Sequence, residues 1–239
     1  VDRVAGPHAS DVAYVIYTSG STGAPKGALI EHAGLANHLD AKIALLGLGA
    51  TDRVAQTAPA SFDVSLWQAL APLVVGAEVV VIDDDTGRDP VRLPAAVGRR
   101  AVTVLELVPS VLQLVLDAGG SVEREALGVL RWVLVTGEAL SPTLCRRWLA
   151  DHPGIPLVNA YGPTECADDV THHVVRTPPP PDAVRVPIGT PIPGMDVEVL
   201  DERLAPVAPG VAGELCVRGV GVARGYLGQP ELTADRFIP

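Results

Sequence analysis

Aromatic residues are scarce in this sequence, at 4% of 239 residues, and so are charge (19%), cysteine (three) and methionine (one). Each shortage excludes something. Cys145, Cys166 and Cys216 are odd in number, far apart and in no metal-ligand spacing, so neither a disulfide framework nor a zinc site is encoded. Three reduced thiols suit a cytoplasmic protein, and no N-terminal signal sequence is visible. The longest apolar run, Ala69 to Ile82, is broken by Pro72, Gly76 and Glu78 and is too short to span a bilayer. Cations are outnumbered, 18 Lys and Arg against 28 Asp and Glu, giving a net charge of −10. Nucleic acids and anionic membrane surfaces are bound by clustered cations, so neither is an expected partner.

What is plentiful is apolar: 48% hydrophobic residues, enough for a substantial core and incompatible with a disordered chain. Up to about Glu165, short apolar β-branched runs alternate with helical patterns. The strands expected are Val12–Tyr17, Val54–Thr57, Glu78–Ile82, Val102–Leu107, Trp132–Val135 and Leu157–Asn159. Between them, helices are expected at Ala33–Leu46, Val64–Val75, Val91–Arg99, Ser110–Asp117 and Pro142–His152, the last with Ser141 as N-cap. This alternation predicts an α/β fold with a largely parallel, layered sheet. Thr177–Asp182 then reads TPPPPD, a stiff segment no helix tolerates. It is either a surface loop or a boundary; the change to short strands and Gly/Pro turns after it favours a boundary, with an α/β core over 1–176 and a small β-rich subdomain over 177–239.

Ala13–Gly27 reads AYVIYTSGSTGAPKG, an apolar strand entering a Gly/Ser/Thr-rich turn. Glycines allow close backbone approach to a ligand. The hydroxyls of Thr18, Ser19, Ser21 and Thr22, the turn amides around Gly20 and Gly23, and the Lys26 ammonium suit phosphate oxygens. It is not a Walker A loop, because Lys26 follows Pro25 and precedes Gly27. A flexible linker is the bland alternative, but a linker has no use for a lone lysine between Pro and Gly.

TSGSTGAPKG resembles the phosphate loop of the adenylate-forming superfamily, which includes acyl-CoA ligases, luciferases and the adenylation domains of non-ribosomal peptide synthetases. FDVS (Phe62–Ser65), NAYGPTE (Asn159–Glu165) and GELCVRGVGVARGYL (Gly213–Leu227) resemble further motifs of that superfamily in the expected order, and the first two resemble the peptide synthetase branch. The resemblance covers nearly the whole chain. It implies ATP and Mg²⁺, a large subdomain of layered sheets, and a small subdomain after it. It further implies that Tyr161 stacks on adenine with Asn159 and Gly162 beside it, that Thr164 contacts the α-phosphate, and that Glu165 holds Mg²⁺. Gly137, Glu138 and Ala139 are implied to border the adenine. GELCVRGVGVARGYL reads as a hairpin with a supporting role, and Arg218 and Arg224 as solvated or structural arginines.

The same resemblance assigns an amino-acid pocket. Asp63 answers the substrate's α-ammonium, a charge-assisted contact that strengthens as water is excluded. Val64, Trp67, Glu106, Leu134, Thr136 and Ala160 form walls, joined by Asp168 and Asp169. Glu106 lies in the apolar run VTVLELVP, where an unpaired carboxylate is costly; it either faces the pocket, points outward, or pairs with an internal arginine. Asp168 and Asp169 either line the pocket or lie in a solvated loop. Asp63 with up to three further acids calls for a second cation, so a basic side chain is expected, 2,4-diaminobutyrate ahead of ornithine and lysine. Adjacent His172 and His173 point to opposite faces of a strand, which disfavours a metal site.

The resemblance also implies a ribose-binding aspartate after Pro239, a C-terminal subdomain with a catalytic lysine distinct from Lys26, and carrier and condensation domains in the same synthetase, the carrier bearing phosphopantetheine. On that footing, residues 1–239 alone are expected to adenylate weakly or not at all. An acyl-CoA or aryl-acid ligase is the same-family alternative, which Asp63 opposes. A nucleotide-binding module without catalysis is the alternative of another class.

Overall fold

The computed structural model describes residues 6–19 and 25–238. In chain order the elements are β1 (Val12–Thr18), β2 (Lys26–Glu31), α1 (His32–Leu46), β3 (Arg53–Gln56), α2 (Val64–Val74), β4 (Glu78–Val81), α3 (Asp84–Gly87), α4 (Arg92–Arg99), β5 (Val104–Leu107), α5 (Pro109–Ala118), α6 (Ser121–Leu127), β6 (Trp132–Val135), α7 (Pro142–Asp151) and β7 (Leu157–Tyr161). A 3-10 turn (Thr164–Cys166), β8 (Thr171–Val175), β9 (Thr190–Pro191), β10 (Met195–Leu200), β11 (Glu214–Gly219) and α8 (Pro230–Arg236) follow. They form two compact units: one comprises the chain up to Ala41, Gly162–Val170 and 191–239, the other Lys42–Tyr161 and Thr171–Thr190.

The second unit carries the expected α/β architecture. A seven-stranded sheet runs in the order β4-β3-β5-β6-β7-β8-β9, with β3, β4, β5, β6 and β7 parallel and β8 antiparallel to β7. The sequence dictates the middle of this sheet. VLEL of β5 and WVLV of β6 are buried at every residue, as parallel strands covered on both faces must be. Alternation then splits them. Leu105, Leu107, Val133, Val135 and Leu157 join the core with Leu112, Leu144 and Trp148, while Glu106 lies level with Leu134, and Leu134 with Val158, on the opposite face. Ser141 caps α7 by accepting from the Leu144 amide at 3.1 Å, with Pro142 at the first helical position. The proline run lies within this unit, between β8 and β9.

In the first unit β1 and β2 pair antiparallel, with Thr18 opposite Lys26. The hairpin expected within Gly213–Leu227 is not what forms. β11 pairs with β10, Met195 opposite Gly219, and the segment after it lies along β2: Arg224 N donates to Leu29 O (2.9 Å), Leu29 N to Gly225 O (3.0 Å) and Leu227 N to Gly27 O (2.8 Å). Glycines within 219–225 break the chain into two short pairings rather than one ribbon; Gly219 takes φ 137° and Gly225 φ 141°. β2, α3, α6, β9 and α8 go beyond the expected elements.

One polar knot fastens the second unit at the start of its sheet. Asp52 is buried and ion-paired with Arg131, and it accepts from Thr103 Oγ1 at 2.8 Å and the Gly49 amide at 3.0 Å. Burial pushes its pKa up, but the bonds from Arg131, Gly49 and Thr103 outweigh that, leaving it below the ordinary 3.8. Asp52→Asn should cost about 1–3 kcal/mol in urea unfolding at pH 7. A depressed folded pKa stabilises above the unfolded value and loses that contribution as pH falls through the folded one. Native and variant midpoints should therefore converge as the pH drops below the ordinary 3.8; a gap that survives there refutes the assignment.

Candidate functional site

The two units each carry part of the predicted constellation. In the first, β1 ends at Thr18, which is half-buried, with Ser19 exposed beyond it, and β2 opens at Lys26. Gly20, Ser21, Thr22 and Gly23, the centre of the predicted phosphate loop, lie outside the described residues. Lys26 reaches Glu165: Nζ to Oε1 is 3.4 Å, with both side chains about one-fifth exposed. Glu165 belongs to the 3-10 turn that Thr164 begins. This turn closes tightly. A side chain at Gly162 would place its Cβ 1.7 Å from Asp168 O, so no other residue fits. Ala167 and Asp168 take left-handed φ of 60° and 76°, and the Ala223 amide binds Glu165 O at 2.8 Å.

Asp168 and Asp169 are not in a solvated loop. Both are buried, and Asp168 Oδ2 lies 3.3 Å from His38 Nε2. His38, Asp168 and Asp169 offer ligand atoms within 4.8 Å of one another. Two buried carboxylates beside one imidazole form an electronegative point that suits a cation.

In the second unit the sheet face opposite the main core assembles much of the predicted pocket wall. Glu106 and Leu134 are neighbours in register; Thr136 and Ala160, two residues further along β6 and β7 from Leu134 and Val158, follow on the same face. All four are buried. Glu106 is buried rather than turned outward, and its partners among the described contacts are Lys42 and Trp67. Trp67 Nε1 donates to its Oε2 at 2.6 Å, and Lys42 Nζ lies 3.4 Å from Oε1. Lys42 is fully buried and sits 4.5 Å from the Trp67 ring centroid, a cation–π contact in a dry setting. Asp63 caps α2, accepting from the Val64 amide at 3.0 Å, and is itself buried; Val64 opens that helix half-buried.

The predicted adenine border is more exposed. Tyr161 is 39% exposed at the end of β7. Gly137 turns out of β6 with φ 79°; Glu138 and Ala139 follow it at the surface, Glu138 accepting from Ser110 N and Oγ at 2.9 and 2.8 Å. Asn159 lies on the other face of β7, its Nδ2 donating to Pro187 O at 2.8 Å. Arg224 pairs with Glu31, and Arg218 with Glu198 and Asp196. Burial pushes the Cys145 and Cys166 thiols up to about 12, so neither is a nucleophile at neutral pH.

Sequence reasoning missed Lys42, His38 and Tyr226. The first two stand in α1, HAGLANHLDAKIALL, where cations on a buried stripe signal internal partners. Tyr226 was passed over inside a motif read as structural.

A match to the AMP-binding enzyme family spans residues 2–227. Over 95% of this chain the sequence is 45% identical to phosphinothricin tripeptide synthetase PhsB of Streptomyces viridochromogenes, and over 99% it is 39% identical to enterobactin synthase component F of Escherichia coli. The chain spans about a fifth of those two relatives' lengths (19% and 18%). Among solved structures it is similar to the nonribosomal peptide synthetase FmoA3 (TM-score 0.88, 31% identity, 96% of this chain and 24% of that one). The N-terminal subdomain of Klebsiella oxytoca NpsA is also similar (TM-score 0.84, 32% identity, 96% and 57%). The chain belongs to the AMP-binding enzyme family, on the branch formed by the adenylation domains of nonribosomal peptide synthetases.

Lys42 and Glu106 are a buried pair, so losing one partner strands the other's charge. Lys42→Met should cost about 3–5 kcal/mol, and adding Glu106→Gln, which keeps an acceptor for Trp67, should recover most of it. Equal midpoints for single and double variants in urea unfolding would remove the pair as a structural element.

Proposed function

We propose that this chain is the nucleotide- and amino-acid-binding part of an enzyme that activates an amino acid as its aminoacyl-adenylate. The carboxylate oxygen attacks the α-phosphorus of ATP, a new C–O–P bond forms, the bond to the bridging oxygen of the β-phosphate breaks, and pyrophosphate leaves. Thr18 through Gly23 and Lys26 receive phosphates, with Thr164 at the α-phosphate and Gly162 beside Tyr161. Tyr161, Gly137, Glu138 and Ala139 border the base, with Asn159 holding the strand end that presents Tyr161. Glu165 is the carboxylate for Mg²⁺, which neutralises phosphate charge when bound. Its partly exposed carboxylate beside a lysine fits a phosphate-bound hard cation. The protein's own work is alignment and charge neutralisation. The activated acyl group then passes to the phosphopantetheine thiol of a carrier domain, with condensation domains as further partners in the cytoplasm. The FmoA3 structures in AMPPNP-bound and α-methyl-L-serine-AMP-bound forms support an aminoacyl-AMP product. No described helix is long and apolar enough to cross a membrane.

The observation that carries the amino-acid reading is Asp63, buried at the N-terminus of α2 and hydrogen-bonded there only by its neighbour's amide among the described contacts. A carboxylate so placed suits an α-ammonium, which an acyl or aryl acid does not have.

For the side chain, a short basic substrate such as 2,4-diaminobutyrate follows from Asp63, Glu106, Asp168 and Asp169 acting together. A neutral hydrogen-bonding side chain is the second reading, favoured by a specific observation: Lys42 already answers Glu106, and His38 stands against Asp168. Amino-acid-dependent ATP–pyrophosphate exchange in the full-length protein that carries this chain separates the two. Diaminobutyrate at the head of the panel supports the first reading, serine or threonine the second. Asp63→Ala should lower exchange at least about a hundred-fold, the loss of a desolvated charge-assisted contact. Undiminished exchange, or a preference for an acid without an α-amino group, defeats the amino-acid reading.

A further inference from the structure

Tyr226 is held in place by everything except its hydroxyl. The segment that carries it lies along β2, joined by an isolated bridge between Ala28 and Tyr226. Its amide donates to Thr233 Oγ1 at 2.9 Å, and its ring meets the Phe237 ring edge-on with centroids 5.3 Å apart. Only 5% of the residue is exposed. The hydroxyl is what reaches out, donating to Glu165 Oε1 at 2.7 Å. Lys26 Nζ stands 3.3 Å from the same hydroxyl, 3.4 Å from the same carboxylate oxygen, and 4.9 Å from the centroid of the Tyr226 ring.

Lys26 and Glu165 thus answer each other's charge across Tyr226, yet the reaction asks each to answer something else. A phosphate competes for Lys26, and a carboxylate that loses its lysine gains freedom about three rotatable bonds. Tyr226 has no such competitor. Its ring is fixed by Phe237 and its amide by Thr233, so the hydroxyl stays aimed at the carboxylate.

We propose that Tyr226 is a positioning residue for adenylation: its hydroxyl retains the Glu165 carboxylate when Lys26 turns to phosphate, so that the carboxylate meets the nucleotide's magnesium already oriented. The proposal rests on the adenylation reading above and adds to it a residue that acts through Glu165. Lys26 becomes exchangeable between two anions, Glu165 and phosphate, and Tyr226 the fixed point of that exchange.

The test is ATP binding to the 239-residue chain by titration calorimetry, with and without Mg²⁺, for the native sequence and Tyr226→Phe. The variant keeps the ring and its contact with Phe237, and loses one hydrogen bond to a charged group, a change of about ten-fold or more in affinity. The expected result is that Mg·ATP binds about ten-fold more weakly while metal-free ATP binds as before. A merely structural role would weaken both together. Replacing Tyr226 by 4-aminophenylalanine, which restores a donor, should restore the metal dependence. If Mg·ATP binds equally to native and Tyr226→Phe chains, the proposal is overturned and the adenylation reading stands. If the native chain gains nothing from Mg²⁺ up to millimolar concentrations, the proposal is overturned, while the adenylation reading is decided by exchange in the full-length protein. A second measurement needs no variant: the Cζ resonance of Tyr226 in chain labelled with ¹³C at tyrosine should move with ATP alone, as Lys26 leaves the hydroxyl, and move again when Mg²⁺ is added, because metal and phenol share one carboxylate. An unmoved resonance overturns the proposal even if Tyr226→Phe does not fold.

Discussion

A carboxylate in the middle of a strand buried on both faces must be answered from within the chain. Glu106 imposes that condition on the second unit. β5 lies between β3 and β6, so Glu106 has no route to solvent, and an unpaired charge there would protonate or expel the strand. The solution uses three elements: Lys42 at the end of α1, Trp67 on α2, and the strand itself. Trp67 supplies a hydrogen-bond donor on one edge and a cation-binding face on the other, so one indole ties together both members of the pair. Such an arrangement fixes how α2 lies on β5 more sharply than apolar packing would. Buried ion pairs add little net stability over apolar residues of equal volume, but a wrongly docked helix would leave a bare charge.

The corresponding constraint in the first unit is steric. Gly162 approaches Asp168 O so closely that the turn after β7 admits only glycine, and the turn in exchange brings Thr164 and Glu165 around toward Lys26 and buries Asp168 beside His38. The αL residues Ala167 and Asp168 carry the strain of that closure. NAYGPTE is therefore a geometric device: its glycine is what lets its glutamate arrive.

Much of this was legible in advance, for identifiable reasons. Strands such as WVLV announce themselves because a parallel strand has no polar face to dilute the signal, and α7 was legible through Ser141 and Pro142, whose capping chemistry is local. The placement of Glu106, Leu134, Thr136 and Ala160 on one sheet face follows from strand period and register once the strands are known. What escaped was whatever depended on pairing distant in sequence. Lys42 and Glu106 are 64 residues apart and Lys26 and Tyr226 are 200 apart, and no local pattern marks either pair. β2 was hidden for a related reason, since a short strand after a glycine-rich turn is defined by its partners, here β1 and the segment around Tyr226.

The same nonlocal pairs alter what an acid-rich motif set means. Counting acids from sequence predicts a basic ligand only if the chain has spent no cations on them. Here it has spent a lysine on Glu106, and it sets a histidine against Asp168. The first pair is complete in charge, since an ammonium faces a carboxylate at full burial. The second is conditional, because imidazole matches Asp168 only when protonated, and Asp169 adds a second carboxylate beside it. On the proposed reading, the demand for an external cation falls first on Asp63, whose carboxylate suits an α-ammonium. Glu106, already faced by Lys42, is the weakest of the four acids as an argument for a basic ligand.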